Sequence, residues 1–331
     1  MHIGLSPLQS GNNFEATIQE CEHAEALGFD SVWLGEHHNH PLLFPTPLIG
    51  LAAIASRTRR LHLGTGVLLL PLYHPLAVAE EGAMVDMISG GRLILGLGAG
   101  YAPEEFSAFG ISLKERGRRL EEGAALLHRL WTEEHVSHQG RHYRVTDVTL
   151  GPRPIQQPRP PIWFAGWVEP AIRRAARLGD AWLGGPSAQL DELVACVRIF
   201  QEAWQEGARG THSPEIALMR YVFVADSLEQ AYATVGEATL RIFETTYFQW
   251  PHPVVKRPPG TLTIQRLAEE RFILGTPAQC IEQIERFRQQ LGLTHLICRV
   301  SFPGVPSEAS MASVERFTRE VMPAVRPMRP A

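Results

Sequence analysis

The chain lacks several features that would place it in a specialised class of proteins. Its 331 residues include only four cysteines, which are scattered and form no C-x-x-C pair, so neither a disulfide framework nor a cysteine zinc site is indicated. No apolar run is long enough to span a bilayer, and the first residues show no basic segment followed by an apolar one. These absences predict a cytoplasmic protein with buried thiols and no membrane partner.

An excess of charge of one sign is lacking as well. The sequence has 31 lysines and arginines against 35 acidic residues, and its basic residues form only short pairs such as Arg59-Arg60. Without a basic cluster, nothing indicates a nucleic-acid partner. The composition, 44% hydrophobic and 20% charged, is typical of a soluble globular protein that buries a large core.

Segments with the pattern of buried strands alternate with segments of helical period along nearly the whole chain. Eight strands are predicted, at residues 2–6, 30–34, 61–70, 92–97, 162–165, 181–183, 216–224 and 293–300. Helical spacing follows them, for example at 14–27 and 190–206. Eight strands alternating with helices predict an α/β fold, a (β/α)8 TIM barrel with insertions, in a single domain spanning residues 1–331.

Three stretches interrupt this alternation. Residues 136–143 are predicted to form a hairpin, and residues 152–161 hold five prolines and are predicted to be a connector. The segment from 247 to 263 is rich in aromatic residues and proline and has no period. Long irregular segments of compact domains are usually active-site lids or disordered segments, and the aromatic residues favour a lid here.

A carboxylate and three histidines follow the second predicted strand, in the sequence Glu36-His37-His38-Asn39-His40. Such a cluster suits a metal site, a proton-transfer site or a polar loop. His38 and His40 have the spacing of a barrel metal site, but no later strand ends in the further ligands that such a site needs. We therefore predict no metal, and we interpret these two as loop histidines bonded to backbone or water. Glu36 and His37 lie where barrels carry out catalysis, and they are the candidate catalytic residues.

Glycines mark three further strand ends on the same face of the predicted barrel. Gly66 interrupts an otherwise branched strand, which indicates a bulge, a backbone lying against a ligand, or packing against a large neighbour. Gly98 and Gly100 follow the fourth strand. They resemble half of a dinucleotide fingerprint, but they also suit a tight turn or a backbone that approaches a flat cofactor closely. Gly166-Trp167-Val168 opens a helix, either as an ordinary βα turn or as a phosphate site.

Three longer motifs occur in one order along the chain. They are DSVWLGEHH at 30–38, LGTGV at 63–67 followed by LPLYHP at 70–75, and GRLILGLGAGY at 91–101. Together they resemble the bacterial luciferase-like flavin monooxygenase family, and further matches extend the resemblance over nearly the whole chain, at 104–110, 116–132, 161–166, 175–180 and 274–277. The resemblance implies a barrel with insertions, a flavin bound at the carboxyl ends of the strands, and a homodimer or higher homo-oligomer.

The resemblance also implies roles for individual residues. His37 corresponds to the histidine that acts as the catalytic base, and Glu36 would orient it or hold its loop. The flavin ring would lie against a bulge that often contains a non-prolyl cis peptide bond, at Gly66-Val67, and the phosphate would lie at the turn after the fifth strand. The implied flavin contacts are Thr65, Gly66, Val67, Gly98, Gly100, Tyr101, Gly166, Trp167 and Val168.

The chain departs from the luciferase pattern at the phosphate site and at one reactive position. An arginine after strand four and hydroxyl residues at the helix start are replaced by Ala99, Val168 and Ala171. The phosphate would therefore depend on backbone N–H groups and on residues that the sequence does not identify. The reactive cysteine of luciferase corresponds to Gly98, so light emission is not expected.

Within this family, we predict a monooxygenase that uses reduced FMN and oxygen on a small organic substrate. A separate NAD(P)H:flavin reductase would supply the reduced FMN, and the GVLLLP segment and the EHH loop favour FMN as the cofactor. The alternative is hydride transfer with a deazaflavin coenzyme on the same barrel. A third hypothesis, a flavin-binding protein without catalysis, is disfavoured by Glu36 and His37. The aromatic lid favours an apolar or heterocyclic substrate.

Overall fold

The computed structural model describes residues 1–7, 13–39, 44–207, 214–248, 257 and 260–326. Among the predicted features, His40 and most of the 247–263 segment lie outside the described residues. From that segment the structure describes residues 247, 248, 257 and 260–263. The lid therefore remains a prediction.

Parallel strands form the barrel that the alternating sequence pattern predicts. In chain order the strands are β1 (His2–Ser6), β2 (Ser31–Leu34), β3 (His62–Thr65), β4 (Leu93–Leu97), β5 (Val136–Gln139), β6 (Arg144–Val148), β7 (Ile162–Ala165), β8 (Ala181–Gly184), β9 (Glu215–Val224), β10 (Ile273–Gly275) and β11 (His295–Arg299). Eight of them pair in the order β1-β2-β3-β4-β7-β8-β9-β11, and β11 pairs with β1 to close the barrel. The predicted (β/α)8 fold is confirmed.

The other three strands lie outside this closed barrel. β5 and β6 form an antiparallel hairpin, which confirms the hairpin predicted at 136–143 but extends it, because the second strand lies at Arg144–Val148. The sequence pattern did not predict β10, which pairs in parallel with residues 222–224 at the extended end of β9. Its three residues are too few to show a period, so periodicity could not identify it.

A helix follows each strand of the barrel. The helices are α1 (Phe14–Ala26), α2 (Pro47–Arg57), α3 (Pro75–Ser89), α4 (Pro103–Ala108), α5 (Arg116–Thr132), α6 (Glu169–Leu178), α7 (Leu190–Glu206), α8 (Leu228–Ile242), α9 (Ile264–Ala268), α10 (Pro277–Leu291), α11 (Ser307–Arg316) and α12 (Met322–Val325). The helix predicted at 190–206 is observed with those bounds, because its start is a capping box from Gln189 and Glu192 and a glycine follows its end.

The third strand differs from its prediction. The apolar run at 61–70 predicts one long strand, but β3 ends at Thr65. The peptide bond between Gly66 and Val67 is cis, as the resemblance implies, and the chain then enters a 3-10 turn at Leu70–Leu72. We call residues 66–69 the β3 bulge.

Hydrogen bonds outside a regular strand ladder hold the β3 bulge. The Leu68 N–H donates to the carbonyl oxygen of Gly96 at 2.8 Å. The next N–H, from Leu69, donates to the Glu36 carboxylate at 2.7 Å. A side chain thus replaces a neighbouring strand as the partner of a buried backbone group, which an apolar pattern alone cannot show.

Two stacked tryptophans fill the centre of the barrel. Trp33 and Trp163 are buried, and their ring centroids lie 4.8 Å apart. Glycines on neighbouring strands make room for them. A Cβ atom at Gly64 would lie 2.3 Å from Trp33 Cε3, and one at Gly4 would lie 2.8 Å from Trp33 Nε1. Because side chains fill the interior, ligands bind at the ends of such a barrel.

The cysteines agree with the prediction from composition. All four are buried and unpaired: Cys21, Cys196, Cys280 and Cys298. Burial raises the pKa of the Cys196 thiol to about 11, so it stays protonated at neutral pH.

Among the described residues, no helix is both long enough and apolar enough to cross a membrane.

Candidate active site

The carboxyl ends of the barrel strands form a mouth whose two halves differ in chemistry. Side chains alternate along a strand, so the interior cluster shows which positions point inward, and it includes Ile94, Trp163, Leu183, Met219 and Ile297. Further along β3, β4, β7 and β8, the inward positions at the carboxyl ends are Gly66, Gly98, Ala165 and Gly185. Those on β9, β11 and β1 are Tyr221, Arg299 and Ser6, and His37 follows β2. Each set comes from consecutive strands of the barrel, and we call them the glycine half and the polar half.

The inward positions of the glycine half carry small side chains or none. Neighbouring side chains fill part of this space, since a Cβ atom at Gly98 would lie 2.4 Å from Val67 Cγ2 and one at Gly66 would lie 3.3 Å from Met219 Cε. Gly66 and Val67 are partly exposed at the mouth. Such a surface allows a flat ligand to lie close to the chain.

The structure brings the predicted contacts of strands three and four together. Thr65 is fully buried, and its hydroxyl donates to the carbonyl oxygen of Gly96 at 2.7 Å, so its side chain is engaged within the barrel wall. Gly100 has a φ of +73°, and a Cβ atom there would lie 2.8 Å from Phe106. Tyr101 follows it and is 41% exposed at the mouth.

Glu36 is the centre of a buried network that holds the loop after β2. Its carboxylate accepts hydrogen bonds from the Leu69 N–H at 2.7 Å and from the Tyr73 hydroxyl at 2.8 Å. The same carboxylate pairs with His38 Nε2 at 2.6 Å. The partner of His38 is therefore a side chain, and not the backbone or water that the sequence analysis predicts. Of the two roles predicted for Glu36, these contacts favour holding the loop. Within the part of the chain that the structure describes, no three metal-binding side chains converge.

The carboxylate beside His37 belongs to Glu105, in the first turn of α4. His37 Nδ1 lies 3.0 Å from Glu105 Oε1, which also accepts the His38 N–H at 2.9 Å. Glu105 is buried, whereas the His37 side chain is 26% exposed and lies with its ring centroid 5.9 Å from that of Tyr101. An imidazole whose Nδ1 is fixed by a carboxylate can exchange a proton with a ligand at Nε2.

Glu105, Tyr221 and Arg299 are polar residues of the mouth that were not identified from the sequence. Glu105 lies in the first turn of a helix, where an acidic residue has an ordinary explanation in the helix dipole. Arg299 ends its strand, β11, and Tyr221 lies opposite it within β9, at the same register position. A charged residue that ends a buried barrel strand is a usable signal, because that is where barrels bind ligands.

The turn at Gly166-Trp167-Val168 offers few groups for a phosphate. Val168 is the N-cap of α6 but makes no side-chain cap, and Pro170 has no N–H to donate. Glu169 places a negative charge in the first turn, where it pairs with Arg173 at 2.8 Å. The residues of the mouth therefore fit a flat ring well, while a phosphate at this turn would depend on the backbone N–H groups next to Val168.

A closed (β/α)8 barrel with an oriented histidine and a backbone floor at the carboxyl ends of its strands defines an α/β-barrel protein with an enzyme-like site. The family can be stated as well. The profile of the family described as Luciferase-like monooxygenase matches residues 1–295, and the chain belongs to that family. The resemblance found in the sequence is confirmed.

Individual relatives fall into two groups by cofactor. The oxygenase component of the flavin-dependent trigonelline monooxygenase of Acinetobacter baylyi is 28% identical, with 94% of this chain and 89% of that protein covered. An F420-dependent glucose-6-phosphate dehydrogenase of Amycolatopsis mediterranei is also 28% identical, with 93% and 94% covered. The crystal structure of monooxygenase RslO1 from Streptomyces bottropensis matches with a TM-score of 0.85 at 28% identity, covering 98% of this chain and 100% of that one. The family thus contains both flavin monooxygenases and F420-dependent dehydrogenases.

Proposed function

We propose that the protein is a monooxygenase that uses reduced FMN and oxygen to oxidise a small organic substrate. The observation that carries the proposal is the His37–Glu105 pair, at 3.0 Å, beside the glycine half of the mouth. A flat cofactor needs a floor without side chains, and the chemistry needs an oriented group that moves protons next to it. When bound, reduced FMN supplies the electrons that activate oxygen.

We assign the flavin ring to the glycine half. Gly66-Val67 and Gly98 would lie under the ring, with Gly100 and Tyr101 at its border. A Cβ atom at Gly98 would lie 2.4 Å from Val67 Cγ2, so any side chain at position 98 would displace the β3 bulge on which the ring would lie. The phosphate would extend toward Gly166-Trp167-Val168.

His37 would move a proton at Nε2 while Glu105 fixes Nδ1. Excluding water would be the role of the lid segment at 247–263. Tyr247, the first residue of this segment, supports that role, because its phenol interacts with the phenols of Tyr221 and Tyr101 at the mouth. A dry site strengthens the electrostatic interactions that orient reacting groups.

FMN is preferred over a deazaflavin because two of the similar proteins reported above, the trigonelline enzyme and RslO1, are named monooxygenases. The oxygenase-component name of the first supports a separate NAD(P)H:flavin reductase as a partner. The second candidate function is hydride transfer with F420, which the dehydrogenase of similar identity favours.

The cofactor and the use of oxygen can be tested together. We expect FMN to quench or perturb protein fluorescence on binding, with a higher affinity than F420. With FMN, NADH and an added flavin reductase, an oxygen electrode should then show substrate-dependent oxygen uptake across a screen of small organic compounds.

Other results would select a different function. Tight F420 binding with turnover in the absence of oxygen would replace the proposal with hydride transfer. Flavin binding with no consumption of reduced flavin or oxygen in the whole screen would indicate a non-catalytic flavin-binding protein.

An exposed apolar patch supports the proposed homodimer. The patch lies on α2 and α3 and comprises Ile49, Met84, Met87 and Ile88, which are 68%, 45%, 42% and 46% exposed. Apolar patches of this kind on soluble proteins are typical of self-association surfaces.

We expect a dimer in light scattering, and we expect Met84→Asp with Ile88→Asp to give a monomer. Val194→Asp on α7, at a site 38% exposed, is the matched control; a double variant that stays dimeric would place the interface elsewhere.

A further inference from the structure

Arg299 places a positive charge on the polar half of the mouth. It is the last residue of β11, two positions after the interior residue Ile297, so its side chain points into the barrel at the carboxyl end. Its register partner on β9 is Tyr221, which points inward from the neighbouring strand. The guanidinium carbon lies 5.3 Å from the centroid of the Tyr221 ring.

The arginine has no carboxylate partner within the described residues. Its Nε is buried and makes no hydrogen bond, and no ion pair or side-chain hydrogen bond joins it to another described residue. The charged or polar groups that act on it are phenols, those of Tyr221, Tyr247 and Tyr101. A guanidinium keeps its charge under these conditions.

A second inward-facing group lies nearby. The Tyr221 side chain is fully buried, and its hydroxyl has no hydrogen-bond partner within 3.5 Å among the described residues, although it lies close enough to the Tyr247 phenol to add to the effect of burial in raising the pKa of that group. Buried polar groups usually have partners, so two neighbouring exceptions at the end of a barrel indicate a missing ligand.

Arg220 shows what a structural arginine of this protein looks like. It lies one residue before Tyr221 and is fully buried. Its Nε, like that of Arg299, makes no hydrogen bond, but its two terminal nitrogens donate to the carbonyl oxygens of Gly185 at 2.9 Å and Ala188 at 3.0 Å, and its guanidinium lies over the Phe287 ring. Backbone acceptors offset the cost of burying that charge. Arg299 has no such acceptors among the described residues, so packing alone does not account for it.

We propose that Arg299 and Tyr221 bind the anionic group of the substrate, and that the substrate is a small organic carboxylate. Two N–H donors of a guanidinium and one phenol match the two oxygens of a carboxylate. A dianionic phosphate would favour a second cation beside Arg299, but no other described cation acts on this arginine.

Tyr101 connects this site to the catalytic pair, since its phenol interacts with Arg299 and its ring contacts His37. A substrate held by its carboxylate at Arg299 would therefore place its other end near His37 and the glycine half. The location of the carboxylate site is inferred from the positions of Arg299 and Tyr221, while its role in positioning a substrate for oxidation rests on the proposed function.

The test measures binding to the flavin-free protein, so that it does not depend on catalysis. Isothermal titration calorimetry would use benzoate and cyclohexanecarboxylate, with benzamide and cyclohexanecarboxamide as neutral counterparts. We expect Arg299→Gln to weaken binding of at least one carboxylate by about 10- to 100-fold and to leave the amides unaffected. Arg299→Lys keeps the charge but not the bidentate geometry, and it should weaken the same carboxylate less.

Two controls separate the alternatives. Arg198→Gln removes one charge from a side chain that is 75% exposed on α7 and should change nothing. FMN affinity is measured in every variant and should equal that of the wild type, because Arg299 lies on the polar half.

The proposal is overturned if the wild type binds neither carboxylate better than its amide, or if Arg299→Gln binds the carboxylates as tightly as the wild type. A loss of FMN affinity in place of carboxylate affinity would also overturn it. If Arg299→Gln does not fold, the comparison of Arg299→Lys with the wild type decides. A protein that binds no FMN but shows Arg299-dependent carboxylate binding would refute the proposed monooxygenase and keep the carboxylate site.

Discussion

Replacing His37 with alanine is expected to lower turnover of the substrate found in the oxygen-uptake screen by about 10²- to 10⁴-fold, the usual contribution of a general acid or base. FMN affinity should stay at the wild-type value, because the imidazole lies outside the glycine half. Steady-state oxygen uptake and FMN fluorescence titration measure the two quantities. Added imidazole should restore part of the lost turnover, since it can occupy the vacated space and move the same proton.

Glu105→Gln separates orientation of His37 from its chemistry. In the wild type, the His38 N–H donates to Glu105 Oε1 at 2.9 Å. Glutamine keeps an oxygen that can accept this N–H, but it loses the charge beside His37 Nδ1. We expect a smaller loss of turnover, about 10-fold. His135→Ala is the control, because that side chain is 75% exposed and directly precedes the β5–β6 hairpin, which lies outside the closed barrel. Unchanged turnover in His37→Ala would show that another residue moves the proton.

Replacing Trp33 with alanine is expected to lower the free energy of unfolding by about 3–5 kcal/mol, the range for deleting a large aromatic side chain from a core. Trp33 is fully buried, stacks on Trp163 at 4.8 Å and occupies the space left by Gly4 and Gly64. Gly4 and Gly64 have no side chains that could fill the cavity. Urea unfolding followed by circular dichroism measures the loss.

FMN affinity should fall in the same variant. A Cβ atom at Gly66 would lie 3.6 Å from Trp33 Cβ, so the tryptophan supports the β3 bulge from below. Trp204→Ala on α7, at a half-buried site outside the barrel interior, should cost less stability and leave FMN affinity unchanged. If Trp33→Ala lost no more stability than Trp204→Ala, the centre of the barrel would not be the packed core described above.

The fold was predictable because each barrel strand is apolar and each helix carries its own period and caps. The α7 helix illustrates this, since its capping residues mark its start in the sequence. The third strand was not predictable beyond Thr65. Its apolar run continues, but the Leu69 N–H bonds a carboxylate that lies 33 residues earlier in the chain, at Glu36. Local patterns do not report partners that tertiary structure supplies.

The candidate site was predictable only in part for the same reason. His37 could be identified because a histidine directly follows a strand and matches a family motif. The partner of His37 could not, because the sequence offers the adjacent Glu36 for that role, and only the contact at 3.0 Å shows that Glu105 lies beside His37 Nδ1. The sequence contains Arg299, but what distinguishes it from a structural arginine such as Arg220 is that no acceptor among the described residues surrounds it.

The division of the mouth into a glycine half and a polar half has a stereochemical consequence. In the proposed enzyme, a flat cofactor on the glycine half would have one face against the β3 bulge, and its opposite face would be open to His37. A substrate anchored on the polar half would then meet that open face from one direction. The two sides of a prochiral carbon would become inequivalent, so the handedness of a chiral product would be set by which strands carry glycine and which carry tyrosine and arginine.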